Sequence, residues 1–586
     1  MTTYAIDFES YYSKECSIKT LGPLGYFSHP DFDAYMVSVV ADNGFTFVGH
    51  PKDFDWSLIE GQVVLSHNAS FDETLYLYGV TQNWWPEAKA AEWHCTADMA
   101  AYCGLPRSLK NATAVAYNLT VDKSTRDNMS SKNWDTMSEE FKKEVTEYAL
   151  KDSELCLRLW QDYSPKWPAA ERAISYVNRT AMQRGIPIDT ELMKKQIETI
   201  NVKLFEAEEA IPWLGDKPLL SRPAFDEQCR KVGIEPPHSL AATDAEAQEW
   251  LRINGKKYAW VNAVISWRRI NSIKKKIESF QFATMPDNRY YGGLMYFGAH
   301  TGRFSGSGGN LNLQNLPKEE MFGVKLRSLI AAPVGKKLVV VDLSQIEVRT
   351  LCWLANDKEA MAEIKATDDI YEAFAIRFGL WNRDKGSLRE KDPKLRHRVK
   401  AMVLGCGYGA GADKFTVMSG MSLKDATAAI QLYRRKMTSV TKLWRDYTTD
   451  VAVSYDQQIP LTIDLPSGRA LDYGKLRPVK QNGKINYVAL MNRNGKRVPV
   501  KLWGGLLAEN ASQALARDIF CNMLCRIHDA GLKIIFHVHD EVVVEVDEAE
   551  AEDSLARIVE IMSTPPEWIP DIPVSAEGSI ISIYEK

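Results

Sequence analysis

Two apolar β runs, each carrying an aspartate, lie far apart in this sequence, and the fold has to accommodate both. The first run covers residues 337–342, ends at Asp342 and passes into a polar turn. The second covers residues 534–546, and Asp540 with its neighbours interrupts it as the tip of a hairpin would. Side by side, two strand-borne aspartates offer the hard oxygen ligands that two Mg²⁺ ions need for in-line attack on a triphosphate. We therefore expect the fold to bring both aspartates into one site.

The composition excludes several classes of protein. The chain has 586 residues, of which 45% are apolar and 25% charged, as in ordinary globular proteins and unlike disordered or fibrous ones. No run approaches the ~20 apolar residues of a membrane helix, and the N-terminus lacks the pattern of a signal peptide. The nine cysteines include no CxxC pair, which indicates reduced thiols and not a disulfide framework or a zinc ribbon. We expect a cytoplasmic protein without membrane contact.

Charge leaves nucleic-acid binding open. The 72 Lys and Arg against 76 Asp and Glu give a net charge of −4, which excludes a uniformly basic nucleic-acid coat but not a locally positive groove. Residues 267–276 carry five basic residues and no acid, and residues 382–400 carry eight against three acids. Either stretch is also typical of a solvated helix face. We assign the 16 tryptophans to structural packing.

The order of elements predicts two domains. The first ~165 residues alternate short β runs with helical patterns, including strands near residues 4–8 and 62–66 and an amphipathic helix over 139–160. Pro165 and Pro168 follow as a boundary. The remainder is mostly helical to about residue 282, then glycine-rich over 292–309, helical again to about residue 453, and finally β. This pattern predicts an α/β domain followed by an α+β domain whose β region is split by a helical insertion.

Four acids in the first domain favour a second metal site. Asp7 and Glu9 lie two residues apart on a strand and share one face, where they repel each other unless a cation lies between them. Asp72 follows another strand, and Asp152 shares a helix face with Tyr148. Such a set suits two-metal phosphodiester hydrolysis, with the phenol orienting the attacking water.

A third pattern lies between the two aspartate-bearing runs. Steps of four place Arg396, Lys400, Leu404 and Tyr408 on one face of a predicted helix. The two cations could bind triphosphate oxygens, and the tyrosine offers a flat surface to a base. The glycines that follow resemble a P-loop only superficially, because the GK[ST] signature is absent and the cations precede the glycines. An ATPase is therefore disfavoured.

These motifs together resemble those of family A, polymerase I-like DNA polymerases. The C-terminal match consists of motif A (residues 342–349), motif B (396–409), motif C (539–541) and two segments similar to those that line the minor groove, 301–305 and 312–317. The N-terminal acids and Tyr148 resemble DnaQ-like 3′→5′ exonucleases of the RNase H-like fold. The resemblance implies an exonuclease domain over 1–165 and a right-hand polymerase domain over 166–586. Within the latter it implies a thumb at about 185–290, a palm at about 291–357 and 500–586, and fingers at about 358–455.

The resemblance also implies a role for each matched residue. Asp342, Asp540 and the Leu343 carbonyl would bind two Mg²⁺ ions, for which Mn²⁺ could substitute, with Glu541 assisting. Arg396 and Lys400 would hold the incoming dNTP, Lys400 would protonate pyrophosphate, Tyr408 would stack beside the templating base, and Glu347 would exclude a ribose 2′-hydroxyl. The implied DNA contacts are Arg303, Gln314, Asn315, Arg349, Gln513 and His539, and we add Lys274 and Lys275 from the basic stretch. In the first domain, Asp7, Glu9, Asp72 and Asp152 would bind metal and Tyr148 would orient water.

Two departures refine this expectation. Leu404 replaces the aromatic residue of motif B, which removes sugar stacking and affects discrimination against 3′-deoxy nucleotides. Only six residues precede Asp7, so no 5′-nuclease domain is expected upstream, as in a phage replicative polymerase acting in the host cytoplasm. The expected function is template-directed DNA synthesis on primer–template DNA with proofreading.

Three alternatives remain distinguishable. Glu347, the Asp540–Glu541 pair and the N-terminal acids argue against a single-subunit RNA polymerase, and a comparison of dNTP with rNTP extension decides the matter. A non-catalytic DNA-binding scaffold is disfavoured because every carboxylate is present. A nuclease whose C-terminal half only binds DNA would release no pyrophosphate on a primed template.

Overall fold

The computed structural model describes residues 1–119, 124–241, 244–306, 312–367, 369–481, 483–493 and 496–585. The predicted glycine-rich segment at 292–309 is covered only as far as residue 306, and its last three residues lie outside the described ones. Across the described ranges, no helix combines the length and the apolar character needed to cross a membrane.

The N-terminal unit, which we define as residues 3–163, is built on a five-stranded sheet. Its elements are β1 (Thr3–Glu9), α1 (Ile18–Phe27), β2 (Met36–Ala41), β3 (Thr46–Gly49), β4 (Val63–Ser66), α2 (Ala69–Thr81), β5 (Glu92–Cys95), α3 (Thr96–Tyr102), α4 (Leu109–Tyr117), α5 (Ser124–Met129) and α6 (Glu139–Tyr163). The strand order is β3-β2-β1-β4-β5, with β1 antiparallel to β2 and parallel to β4. The predicted strands and helix are all present, and α6 packs across β1 and β2.

A mostly helical region follows, as the sequence predicted. It contains α7 (Ala169–Arg184), β6 (Ile186–Pro187), α8 (Thr190–Glu209), α9 (Arg222–Lys231), α10 (Ala245–Lys257), α11 (Ala259–Ala283), β7 (Arg289–Tyr290), β8 (Leu294–Met295) and β9 (Ser305–Gly306). The long helices α8 and α11 pack together through Ile200, Ile273 and Ile277, which are all almost fully buried. Burial of this apolar stripe holds the pair as a rigid arm.

The C-terminal part of the chain surrounds a second, antiparallel sheet. Its first strand is β10 (Lys336–Leu343), followed by α12 (Ile346–Leu354), α13 (Lys358–Lys365), α14 (Ile370–Arg377), α15 (Leu388–Lys391), α16 (Pro393–Cys406), α17 (Ala412–Ser419), α18 (Leu423–Lys436) and α19 (Thr438–Asp456). After β11 (Leu461–Asp464), β12 (Ala470–Gly474), β13 (Arg477–Gln481), β14 (Lys484–Arg493) and β15 (Lys496–Lys501) come α20 (Gly504–Asp529), β16 (Ile534–Val538), β17 (Glu541–Asp547), α21 (Ala551–Ser563) and β18 (Ala576–Ile581).

This sheet joins strands that are distant in sequence. Its order is β16-β17-β10-β18, so the hairpin of β16 and β17 lies directly beside β10. The centre of β10, from Leu338 to Val341, is fully buried, because α21 lies against the strand and apolar cores pack around it. A continuous apolar run is what a strand covered in this way requires. The predicted strand and hairpin are both confirmed.

The sequence predicted β structure after about residue 453, but not that residues 461–501 form two small separate sheets. β11 pairs with β12, and β13, β14 and β15 form a separate three-stranded sheet. All five residues of β13 are exposed, so the strand lacks the apolar alternation by which a half-buried strand is recognised. The three-stranded sheet is attached to the rest of the molecule through buried Ala489 and Met491 of β14.

The helix that carries Arg396 is shorter than the sequence predicted. α16 ends at Cys406, so Arg396, Lys400 and Leu404 share the helix but Tyr408 lies in the turn beyond it. Glycines at 405, 407 and 409 weaken the last turn, and Gly409 adopts a φ of +76° that is left-handed. The expectation of a single four-residue helical stripe is therefore wrong at its last member.

Candidate active site

The two predicted aspartates meet at one end of the second sheet, which is formed by β16, β17, β10 and β18. β10 and β17 pair antiparallel with Asp342 opposite Glu541, and the Leu343 N–H donates to the Asp540 carbonyl over 3.1 Å. Burial, and then the negative charge of Asp342, raise the pKa of Asp540 to about 7. Such mutual repulsion requires close carboxylates and is relieved by a cation. The predicted convergence of the two segments is confirmed as geometry.

The hairpin tip orients the two neighbours of Asp540, His539 and Glu541, in different ways. His539 has a left-handed φ of +55° and an exposed side chain. Glu541 is buried instead, and its Oε1 accepts a hydrogen bond of 2.5 Å from the Tyr584 hydroxyl. The tip thus presents His539 to solvent, while Tyr584 holds the Glu541 side chain in the interior.

Arg303 and Glu347 form an ion pair near the aspartates. Glu347 lies in the first turn of α12, directly after the strand that delivers Asp342. Burial and the neighbouring Glu347 carboxylate raise the pKa of the half-buried Tyr408, which places the phenol beside the same acid. Gln513 of α20 donates to Glu509 over 3.4 Å on this side of the site. Arg303 and Tyr408 therefore both lie beside Glu347.

The cations of α16 are arranged along one exposed face. Asp369 accepts hydrogen bonds from Arg396, the shorter of them 2.6 Å, and the guanidinium lies 5.1 Å from the Tyr371 ring centre. Lys400 is exposed, with its ammonium group 5.9 Å from the same ring. Leu404 follows with 43% of its surface exposed. An anion that binds this face has to compete with Asp369 for Arg396.

The predicted DNA contacts occupy different environments. Gln314 donates to the Phe304 carbonyl over 3.4 Å, and Asn315 is exposed, its carbonyl accepting from Lys276 over 3.4 Å. On α11, Lys275 is exposed and Lys274 lies 3.8 Å from Glu278. These side chains are accessible to a ligand.

Arg349 lies in the interior and not on a surface that DNA could reach. Its side chain is buried, and its guanidinium donates to the Ser344 carbonyl over 2.6 Å and to the Pro573 carbonyl over 3.0 Å. These bonds tie α12 to the loop before β18, and they use the donors that a phosphate would need. The expectation that Arg349 contacts DNA is wrong.

The four N-terminal acids also approach one another. β1 places Asp7 and Glu9 on one face, and the intervening Phe8 N–H donates to Asp72 over 3.2 Å. Burial and the charges of the other acids raise the pKa of Asp7 well above its usual range, burial and Asp152 raise that of Glu9 to about 8, and burial raises that of Asp72 to about 7.

The phenol of Tyr148 belongs to this acid cluster. Burial raises its pKa first, followed by the charge of Asp152, to which it is hydrogen-bonded. The cluster also contains Arg126 of α5, whose positive charge lowers the pKa of Asp7 and Glu9. Sequence reasoning missed this arginine, because a lone cation on a short helix carries no motif.

The chemistry of both sites, the aspartates of the second sheet and the acids of the N-terminal unit, fits divalent cations. Oxygen-only ligands with raised pKa values are typical of Mg²⁺ sites. Among the described residues, however, no group of three or more His, Cys, Asp or Glu side chains is placed to hold an ion together.

Comparison with known proteins matches one part of this arrangement. Residues 216–478 match the family model described as DNA polymerase family A, a range that contains Asp342 and α16 but neither Asp540 nor the N-terminal unit. The chain is 25% identical to the DNA polymerase of Bacillus phage SP02, with complete coverage of both chains. It is also 25% identical to the thermostable DNA polymerase I of Thermus filiformis, over 75% of this chain and 51% of that protein. The chain thus spans about half the length of that bacterial relative.

A solved structure agrees in fold. The structure titled "POL domain of Pol1 from M. smegmatis complex with DNA primer-template and dNTP" superposes with a TM-score of 0.71 at 19% identity, covering 100% of this chain and 95% of that one. At this identity the similarity concerns the fold alone. Together with the matched family model, it leads to one conclusion: residues 216–478 resemble a DNA polymerase family A domain.

Proposed function

We propose that this protein is a template-directed DNA polymerase that adds dNMP to a primer 3′-hydroxyl. The observation that carries the proposal is the meeting of Asp342 and Asp540 at the end of β10, where burial and the charge of Asp342 raise the pKa of Asp540. Carboxylates held in this way bind Mg²⁺ or Mn²⁺, and the metal would stabilise the charge that develops on the attacking and leaving oxygens. The relation to a phage DNA polymerase supports a role in phage DNA replication in a bacterial cytoplasm.

The chain's own residues supply the remaining functions. Arg396 and Lys400 would bind the triphosphate, and the exposed Lys400 would give a proton to pyrophosphate. Tyr408 would stack beside the templating base, while Glu347 excludes a 2′-hydroxyl. The remaining accessible groups would contact primer–template DNA: Arg303, Lys274, Lys275, Gln314, Asn315, Gln513 and His539.

Asp540→Asn tests the polymerase site. The substitution keeps the shape of the hairpin but removes a metal-binding charge, so we expect primer extension to fall roughly a thousand-fold. Degradation of single-stranded DNA by the same sample serves as the control for folding. Extension at the wild-type rate would contradict the role of Asp540.

We also propose 3′→5′ exonuclease activity for the N-terminal unit. The specific observation is the cluster of Asp7, Glu9, Asp72 and Asp152 beside Tyr148, on a sheet with one antiparallel and one parallel neighbour of β1. A mispaired primer end frays more readily than a paired one, so it reaches a separate site as a single strand. This activity would remove mispaired ends before extension continues.

Asp7→Ala combined with Glu9→Ala tests this second site. We expect degradation of single strands to be abolished while extension of a matched primer is retained, because the two sites lie on different sheets. A gel of labelled primer–template, with and without dNTPs, reports both activities. Undiminished degradation by the double variant would exclude these acids as the exonuclease site.

A further inference from the structure

An open pocket lies beside the turn that carries Tyr408. It has a volume of about 470 Å³, and its lining includes Trp444, Trp503, Arg434 and Arg445. Trp503 exposes 40% of its surface, and both arginines are exposed. Two indoles and two guanidinium groups around one opening are the chemistry that binds unpaired bases and their phosphates.

The backbone around the pocket is shaped to bring the indoles close. A Cβ on Gly505 would lie 2.1 Å from the Trp503 ring and 2.3 Å from the Tyr408 carbonyl oxygen, so only glycine fits there. The Trp444 indole N–H donates to the Gly407 carbonyl over 3.1 Å. Both indoles are therefore held against the turn on which Tyr408 is presented.

A basic surface continues from this pocket. Residues 477–501, which include β13, β14 and β15, contain seven Lys and Arg and no Asp or Glu, in a chain whose net charge is −4. The side chains of Arg477, Lys480 and Lys501 are exposed. β15 ends only two residues before Trp503, so the three-stranded sheet and the pocket are adjacent.

We propose that this pocket and the basic sheet bind the single-stranded template ahead of the position where the new base pair forms. The inference rests on the proposed polymerase function, which places the templating base beside Tyr408. The next template nucleotides are unpaired, so their bases are free to stack on Trp503 while their phosphates are neutralised by the pocket arginines and by the sheet. Contacts of this kind do not depend on the template sequence.

Binding to two template overhangs tests the proposal. Primer–template duplexes with a 5′ overhang of about 2 or about 12 nucleotides, the longer within the range of single-strand site sizes, are titrated in EDTA so that neither activity consumes the DNA. We expect the wild type to bind the longer overhang more tightly. Trp503→Ala should weaken binding of the longer overhang by about tenfold and leave the shorter one nearly unchanged.

The basic sheet is tested by its salt dependence. In the double variant Arg477→Gln with Lys480→Gln, the slope of log affinity against log salt should become shallower by about 1.4 for the longer overhang, the value for two lost phosphate contacts. The matched control is Lys52→Gln with Lys89→Gln, two exposed lysines of the N-terminal unit, for which we expect no change. Trp503→Phe, which retains a ring, should bind like the wild type.

Three results would overturn the proposal. The first is equal affinity of the wild type for both overhangs. The second is a loss of affinity in the variants that is the same for both overhangs. The third is tighter binding of an overhang that a complementary strand has made double-stranded. Single-nucleotide extension on the short overhang reports the polymerase function separately. If that extension proceeds while the overhang preference is absent, only the template-binding inference fails.

Discussion

At the scale of single residues, the pair of Arg303 and Glu347 combines two predicted roles. Arg303 was expected to contact the minor groove and Glu347 to occupy the space of a 2′-hydroxyl, yet in this structure each is the other's partner. A substrate-bound site therefore has to offer Arg303 a replacement acceptor. Base acceptors in the minor groove, which lie in similar places for all pairs, would serve this purpose.

Glu347→Ala tests whether the gate is steric. Removing the side chain opens the space beside the sugar, so we expect the ratio of rNTP to dNTP incorporation to rise by about tenfold or more. Glu347→Gln is the matched control, because it keeps the volume and removes only the charge. Single-nucleotide extension with each nucleotide measures the ratio, and an equal rise in both variants would assign the discrimination to charge.

At the scale of elements, β16 carries a histidine whose burial affects stability. His537 is a buried residue of the hairpin, with Nε2 3.2 Å from the Asn178 Oδ1 and its ring 4.5 Å from that of Phe304. Burial, with the nearby positive charge of Arg517, lowers the pKa of His537 to about 3. The folded protein therefore holds this ring neutral, while the unfolded chain protonates it below its ordinary pKa of about 6.5.

The sign of the pH dependence follows from this difference. A lowered folded-state pKa contributes stability that is fully present above about pH 6.5 and is lost as the pH falls from there towards about 3. At about pH 5.5 the loss from one such histidine is about 1.4 kcal/mol. Between about pH 7.5 and 5.5, the free energy of unfolding measured with urea should fall by about 1.4 kcal/mol less in His537→Gln than in the wild type. Identical pH dependences would contradict the assignment.

The elements also show what the sequence could and could not predict. β10 and the hairpin were predictable because a buried strand is locally apolar and acids at its end break that pattern. Arg349 was not, because one of its acceptors is the carbonyl of Pro573, and no local pattern reveals so distant a partner. The exposed strand β13 and the early end of α16 were not predicted for a related reason. The local sequence favours neither structure strongly, so packing determines the strand and the glycines determine where the helix ends.

At the scale of the molecule, buried ion pairs connect the N-terminal unit to the region that follows it. Arg179 of α7 binds Glu73 of α2 and donates to the Trp93 carbonyl over 2.5 Å. Further along, Arg517 of α20 pairs with Glu171 of α7. α7 therefore lies between the two sheets and is tied by charge to both sides, which fixes the N-terminal unit against the region that follows it.

Breaking one of these pairs should loosen the N-terminal unit selectively. Arg179→Met leaves Glu73 buried without its cation, a change that typically costs about 3–5 kcal/mol. We expect faster hydrogen exchange in β4 and β5, while the sheet of β10, β16, β17 and β18 keeps its protection, since the partners of Arg179 in the N-terminal unit are Glu73 of α2 and the Trp93 carbonyl of β5. Lys142→Met, which removes an exposed pair with Glu139, should change stability by less than about 1 kcal/mol. Equal loss of protection in both sheets would mean that the two units unfold together. The ion pair would then stabilise the whole molecule and not specifically the contact between the N-terminal unit and α7.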